Sequence, residues 1–156
     1  MKKILLLIAS HAAALAAGFA LGIYALPILI APDSPAPDEI AAVAGSAKYS
    51  AHFRRDLKGS DRLHWGEGVV SIGPAGVSLT GSLAPGPDYR LYLTPEFVET
   101  EDEFLRVKAS SVQVGSVKTF ENFIVPLPPA IDPAQYTTVV VWCETFSQFI
   151  TAAQYR

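Results

Sequence analysis

The stretch from Ile4 to Ile30, ILLLIASHAAALAAGFALGIYALPILI, runs for 27 residues without Asp, Glu, Lys or Arg. A helix needs only about 20 mostly apolar residues to cross a bilayer, because each residue adds about 1.5 Å and the hydrocarbon is about 30 Å thick. The block is long enough to span. Lys2 and Lys3 precede it, and basic residues flanking a first span stay cytoplasmic, so the chain beyond Ala31 is expected outside the membrane, in the periplasm or outside the cell. A cleaved signal peptide competes with this reading, with Ala14, Leu15 and Ala16 as the small-residue cleavage site. Cleavage there would leave Phe19, Leu21, Ile23, Tyr24, Leu26 and Ile28 on an exposed new terminus, which favours an uncleaved anchor over residues 1–31. Within the anchor, Gly18 and Gly22, extended one turn by Ala14, form a small-x-x-x-small row that lets a second helix approach and points to a homodimer. His11 is ionisable at membrane depth, where such groups either function or pair.

The remainder holds all 15 Asp and Glu but only ten of the 12 Lys and Arg, a formal charge of −5. No basic stripe is available to neutralise phosphates, which argues against nucleic acid as a partner. Residues 32–47 form a linker in which Pro32, Pro35 and Pro37 favour an extended spacer, and Pro37 can open a short helix through Asp38, Glu39 and Ile40. From Lys48 to the C-terminus, short runs rich in Val, Ile, Thr, Tyr and Phe alternate with Gly and Pro, the pattern of a sandwich or barrel. The expected fold class over residues 48–156 is all-β, with about eight short strands. They are placed near Tyr49–Leu57, Gly66–Ile72, Gly76–Leu83, Tyr89–Leu93, Val112–Val117, Asn122–Leu127, Thr137–Cys143 and Phe146–Ala152. The GPAG of Gly73–Gly76 predicts a hairpin. Thr100 and Glu103 predict a capping box and a short helix after them.

Cys143 is the single cysteine and closes TTVVVWC, which is apolar on both pleat faces: Val139, Val141 and Cys143 on one, Val140 and Trp142 on the other. A strand apolar on both sides is covered on both sides, so it is central and buried. With no partner in the chain, an intramolecular disulfide is excluded. Four fates remain: a packed core thiol, an intermolecular bridge, a reactive thiol, or a metal or haem ligand. By composition alone the core thiol leads, since free cysteine is among the most buried residue types. A blue-copper site needs two His and usually a Met near the Cys, but the one Met is Met1 and no His follows Cys143. The C-x-x-C-H of covalent haem attachment is excluded by count. His52 and His64 remain as long-range ligands, or as a base beside Cys143 with Asp61 or Glu144 as the orienting acid. The acidic run Glu99, Glu101, Asp102 and Glu103 lacks calcium-loop spacing and suits a helix N-terminus.

From His64 onward the chain resembles the DM-thirteen domain, an electron-transfer module. The resemblance rests on LHWGEGVVSI with His64 and Gly68; on APGPDYRLYL with Gly86, Pro87 and Asp88; on VGSVKTFENFIVPLP with Gly115, Asn122 and Pro126; and on YTTVVVWCETFSQFITAA. The last is the most specific, because the family's signature cysteine falls on Cys143, between Trp142 and the aromatics Phe146 and Phe149. The resemblance implies an all-β extracytoplasmic domain whose cysteine works in redox, as a bare thiol or by holding a prosthetic group such as haem. His64, Asp88 and Trp142 are expected around it. No second electron-carrying domain accompanies it, so the redox partner is another protein and the chain reads as an accessory redox module more than a stand-alone enzyme. The rival from another class is a non-catalytic envelope interaction module in which Cys143 only fills the core.

Overall fold

The computed structural model describes all 156 residues. A long helix, α1 (Lys2–Ile30), is followed by a short one, α2 (Pro37–Gly45), and then by strands β1 (Tyr49–Phe53), β2 (Gly66–Gly73), β3 (Gly76–Leu83) and β4 (Tyr89–Thr94). Helix α3 (Glu101–Val107) leads into β5 (Val112–Val117), β6 (Glu121–Pro126), β7 (Thr138–Cys143) and β8 (Gln148–Gln154). The strands form two four-stranded antiparallel sheets, β1-β2-β3-β6 and β5-β4-β7-β8. This is the sandwich alternative of the expected class.

Local chemistry explains most boundaries. Pro37 sits at the start of α2, where its missing N–H is not needed, and the Glu39 carboxylate accepts a hydrogen bond from the Ala36 amide at 2.9 Å. Pro74 and Ala75 turn β2 into β3, as the GPAG reading predicts. In α3 the Thr100 hydroxyl accepts from the Glu103 amide at 3.3 Å, while the Glu103 carboxylate reaches past Thr100 to the Glu99 amide at 2.7 Å. The box is thus displaced by one residue. The first strand ends at Phe53 rather than Leu57, because Arg54–Gly59 turns away. The last begins at Gln148, because Glu144–Ser147 forms the turn, with Ser147 left-handed at φ 49°.

Gly68 and Gly81 face each other across β2 and β3, both with positive φ. A Cβ on Gly81 would lie 2.0 Å from the Glu67 carbonyl oxygen, so glycine is required there.

The inward faces of the sheets enclose a core of 21 buried residues, including Val70, Ile72, Leu79, Leu91, Val139 and Val141. A second, smaller core lies outside the β5-β4-β7-β8 sheet, where α3 covers Val140, Trp142, Tyr92 and Phe149 with Phe104 and Val107. The double coverage of β7 follows from its apolar residues on both faces. Helix α1 is long and apolar enough to cross a membrane, with a mean hydropathy of 2.2. Gly18 and Gly22 have open space around them. His11 Nδ1 lies 2.8 Å from the Leu7 carbonyl oxygen, a bond within the helix that satisfies the ring locally.

Candidate functional site

Register puts Cys143 at the end of β7, opposite Tyr89 on β4 and Gln148 on β8. Its side chain joins the inter-sheet core, and the residue is 2 % exposed. The residue nevertheless borders a cavity. A cavity of about 470 Å³ opens at this end of the sandwich, walled by Cys143, Tyr89, His64, Gln148, Leu63 and Phe146 together with the Pro85–Pro87 turn. Ile150 and, from α1, Ala20, Ile23 and Tyr24 complete the wall.

The turn after Cys143 wraps the sulfur in backbone. The Glu144 amide donates to the Asp88 carbonyl at 3.0 Å and the Ser147 amide to the Glu144 carbonyl at 3.3 Å. Thr145 Oγ1 donates to Asp88 Oδ2 at 3.2 Å, and Asp88 Oδ1 pairs with Arg90 Nη2 at 2.7 Å. Asp88 thus ties the two turns together beside the thiol. Burial pushes the Cys143 thiol above its ordinary value; the nearby amides of Phe146, Asp88 and Thr145 oppose this, and the Asp88 charge adds to it. Burial wins, so the protonated thiol is the resting form. Beside it the Tyr89 hydroxyl donates to the Ala84 carbonyl at 2.8 Å, and burial, with a smaller contribution from Cys143, raises the phenol.

His64 reaches the cavity from the loop before β2 and is oriented by Asp61. Asp61 Oδ1 accepts from the amides of Leu63 and His64 at 2.6 and 2.8 Å, and Oδ2 lies 2.9 Å from His64 Nδ1. Partial burial raises the Asp61 carboxyl, but the His64 ring and the two amides outweigh this and hold it below the usual carboxylate range. An ionised Asp61 makes Nδ1 the donor and leaves Nε2 as the free ring nitrogen.

The structure therefore places Cys143 and His64 on one cavity wall, with Asp61 behind His64, and sets Asp88 at the turn beside Cys143 but outside the cavity lining. Trp142 lies on the other face: its ring is fully buried and packs on Phe104 at 4.7 Å between centroids. His52 is exposed on β1, opposite Val69. Glu144 also turns outward, where its carboxylate pairs with Lys108 Nζ at 2.6 Å and accepts from the Tyr92 hydroxyl. Sequence reasoning overlooked Tyr89, Leu63 and Gln148 as wall residues. Tyr89 was within reach, since cross-strand neighbours of a buried cysteine line whatever it lines, but register had to be known first.

No group of three or more His, Cys, Asp or Glu side chains converges to hold a metal ion. Haem fits poorly as well. The wall contains no Lys or Arg to meet the propionates.

Two four-stranded antiparallel sheets behind an apolar N-terminal helix, with an apolar cavity at one end, define a β-sandwich domain. Residues 56–155 match the family described as Electron transfer DM13, and the chain belongs to that family. Membership gives the domain an electron-transfer role. No curated protein and no solved structure matches the chain.

Proposed function

We propose that the chain is a membrane-anchored, outward-facing electron-transfer module in which Cys143 is the working group, used as a bare thiol. The observation that carries this reading is the cavity that reaches Cys143 past His64 and Tyr89. His64, which lines the same cavity as Cys143, serves as the base for the thiol proton, and the nearby amides of Phe146, Asp88 and Thr145 favour the thiolate once it forms. The chain has no second cysteine, so the counterpart that exchanges electrons with Cys143 belongs to another molecule. Helix α1 anchors the domain, with Lys2 and Lys3 inside, and the open row at Gly18 and Gly22 admits a second copy of the helix.

Thiol modification of the folded protein tests this reading. A small neutral thiol reagent is expected to modify Cys143 without denaturant, and the protein is expected to be colourless. A thiol that reacts only after unfolding supports the second reading, an envelope interaction module with a structural cysteine, which the 2 % exposure of Cys143 favours. The mass of the membrane-extracted chain tests the anchor, and loss of the first 16 or so residues would show cleavage after Ala16.

A further inference from the structure

The wall of the Cys143 cavity has an unusual composition. Three of its residues, Ala20, Ile23 and Tyr24, belong to the helix that reads as a membrane span. From Ile4, about 20 residues rising about 1.5 Å each cover the roughly 30 Å of hydrocarbon, which brings Ile23 and Tyr24 to the outer interface. Tyr24 is the residue type that settles there. If the whole apolar run to Ile30 is immersed by tilting, the same residues lie deeper, within the outer leaflet. In both geometries the cavity mouth beside them meets lipid.

The β-domain side of that mouth agrees. Outside α1, few large apolar side chains are exposed, and the two most exposed are Leu63 at 57 % and Phe146 at 51 %. Both stand at this cavity. Exposed apolar groups gathered at one mouth mark a surface that meets something apolar. The lining also restricts the ligand's charge: it holds no Lys, Arg, Asp or Glu, and its polar groups include the His64 ring, the Gln148 amide and the Tyr24 phenol. His64 Nδ1 donates to Asp61, so Nε2 is an acceptor for a ligand hydroxyl, while the second Gln148 N–H, whose first bonds Glu101 at 3.2 Å, and the Tyr24 phenol are donors for a ligand oxygen. A volume of about 470 Å³ is within the range of small-molecule sites, about 300–1,000 Å³.

We infer that the Cys143 cavity is entered from the bilayer and binds the head ring of a lipophilic quinone. Such a molecule is uncharged, flat and dissolved in the membrane, and it presents oxygens to one or two hydrogen-bonding groups. The inference rests on the electron-transfer reading of the same cavity and concerns binding alone, naming what occupies the space beside the thiol. A phospholipid is a poorer occupant, because its charged headgroup finds no counter-ion in the wall.

The full chain in phospholipid nanodiscs provides the test, with decylubiquinone as the probe, whose fully substituted ring does not alkylate thiols. Decylubiquinone at about ten times its Kd is expected to slow modification of Cys143 by a small thiol reagent about tenfold, and to quench indole fluorescence saturably. The double variant Leu63→Glu, Phe146→Glu is expected to reduce that protection to under about twofold while keeping the unfolding midpoint, since both side chains are exposed. Equal rates with and without quinone, or protection that survives the double variant with an unchanged midpoint, overturn the inference. Should the double variant fail to fold, saturable quenching in the unaltered chain decides alone, and its absence overturns the inference. Failure of the electron-transfer reading looks different: quinone would bind, with the same quenching in Cys143→Ser, while the thiol of the unaltered chain resists every oxidant.

Discussion

Trp142 and Cys143 are neighbours on β7, both almost completely buried, yet they face opposite worlds. Trp142 points away from the sandwich into a small aromatic core with Tyr92 and Phe104, closed by α3 and by Lys108, whose ammonium stands 5.3 Å from the indole ring centre. Cys143 points into the main core, but at its end, where the sheets part and a cavity begins. One face is sealed by a helix; the other is closed only by turns and by the end of α1. Burial of a residue therefore says little about its reach, and what caps the end of the strand decides whether chemistry can occur there.

The comparison is broken most severely from the sealed side. Trp142→Ala removes a fully buried ring and is expected to cost about 3–5 kcal/mol, measured by urea unfolding. If the two faces are independent, the Cys143 modification rate in the folded variant stays unchanged. A rate that rises strongly would mean that the Trp142 side holds the cavity shut.

Glu144 sits at the turn between the faces and comes next in size. Its carboxyl is raised by burial, but Lys108 and the Tyr92 hydroxyl outweigh that and leave it below the ordinary glutamate value. The Trp142 indole N–H is near enough to favour the charged carboxylate yet short of a hydrogen bond to any group. Because the folded-state value is lowered, the contribution to stability is fully present above the unfolded value, about 4.3, and is lost as pH falls through the folded value. Glu144→Gln is expected to cost roughly 1–2 kcal/mol at neutral pH and to flatten the acid limb of the stability profile. Unfolding midpoints from about pH 3 to 7 check both; an unchanged acid limb would place the acid sensitivity elsewhere.

Much of this was legible beforehand, for physical reasons. The β-branched and aromatic runs, the GPAG turn and the uncharged block Ile4–Ile30 are local signals, and the strands fell within a few residues of their expected places. The two-sided burial of β7 was legible because Val139–Cys143 leaves no polar face. The pairing of Tyr89 with Cys143 was not, because it depends on the register of strands more than 50 residues apart, and neither was the docking of α1 beside the Pro85–Pro87 turn. His64 and Asp61 were both visible as candidates, but only the loop that folds them together makes them a pair.

On the cavity side, Tyr89→Phe deletes the hydroxyl that donates to Ala84. The expected cost is about 1 kcal/mol, read by urea unfolding. The wall keeps its apolar ring, so quinone protection of Cys143 is expected to survive.

Cys143→Ala is expected to be milder, under about 1.5 kcal/mol, because the sulfur borders existing space and its loss extends a cavity instead of opening one. A cost as large as that of Trp142→Ala would show that the thiol's place is purely structural. The pH dependence of modification sharpens the same point. A thiol raised by burial contributes stability that is present below its unfolded value and lost as pH rises toward the folded one, and its reaction with a neutral reagent accelerates only above the range of an exposed cysteine. On the proposed role of His64 as the base, His64→Ala is expected to leave the unfolding midpoint within about 0.5 kcal/mol but to lower the modification rate of the folded protein. If rate and pH profile are unmoved by that variant, His64 is a wall residue and the amides of Phe146, Asp88 and Thr145 alone govern the sulfur.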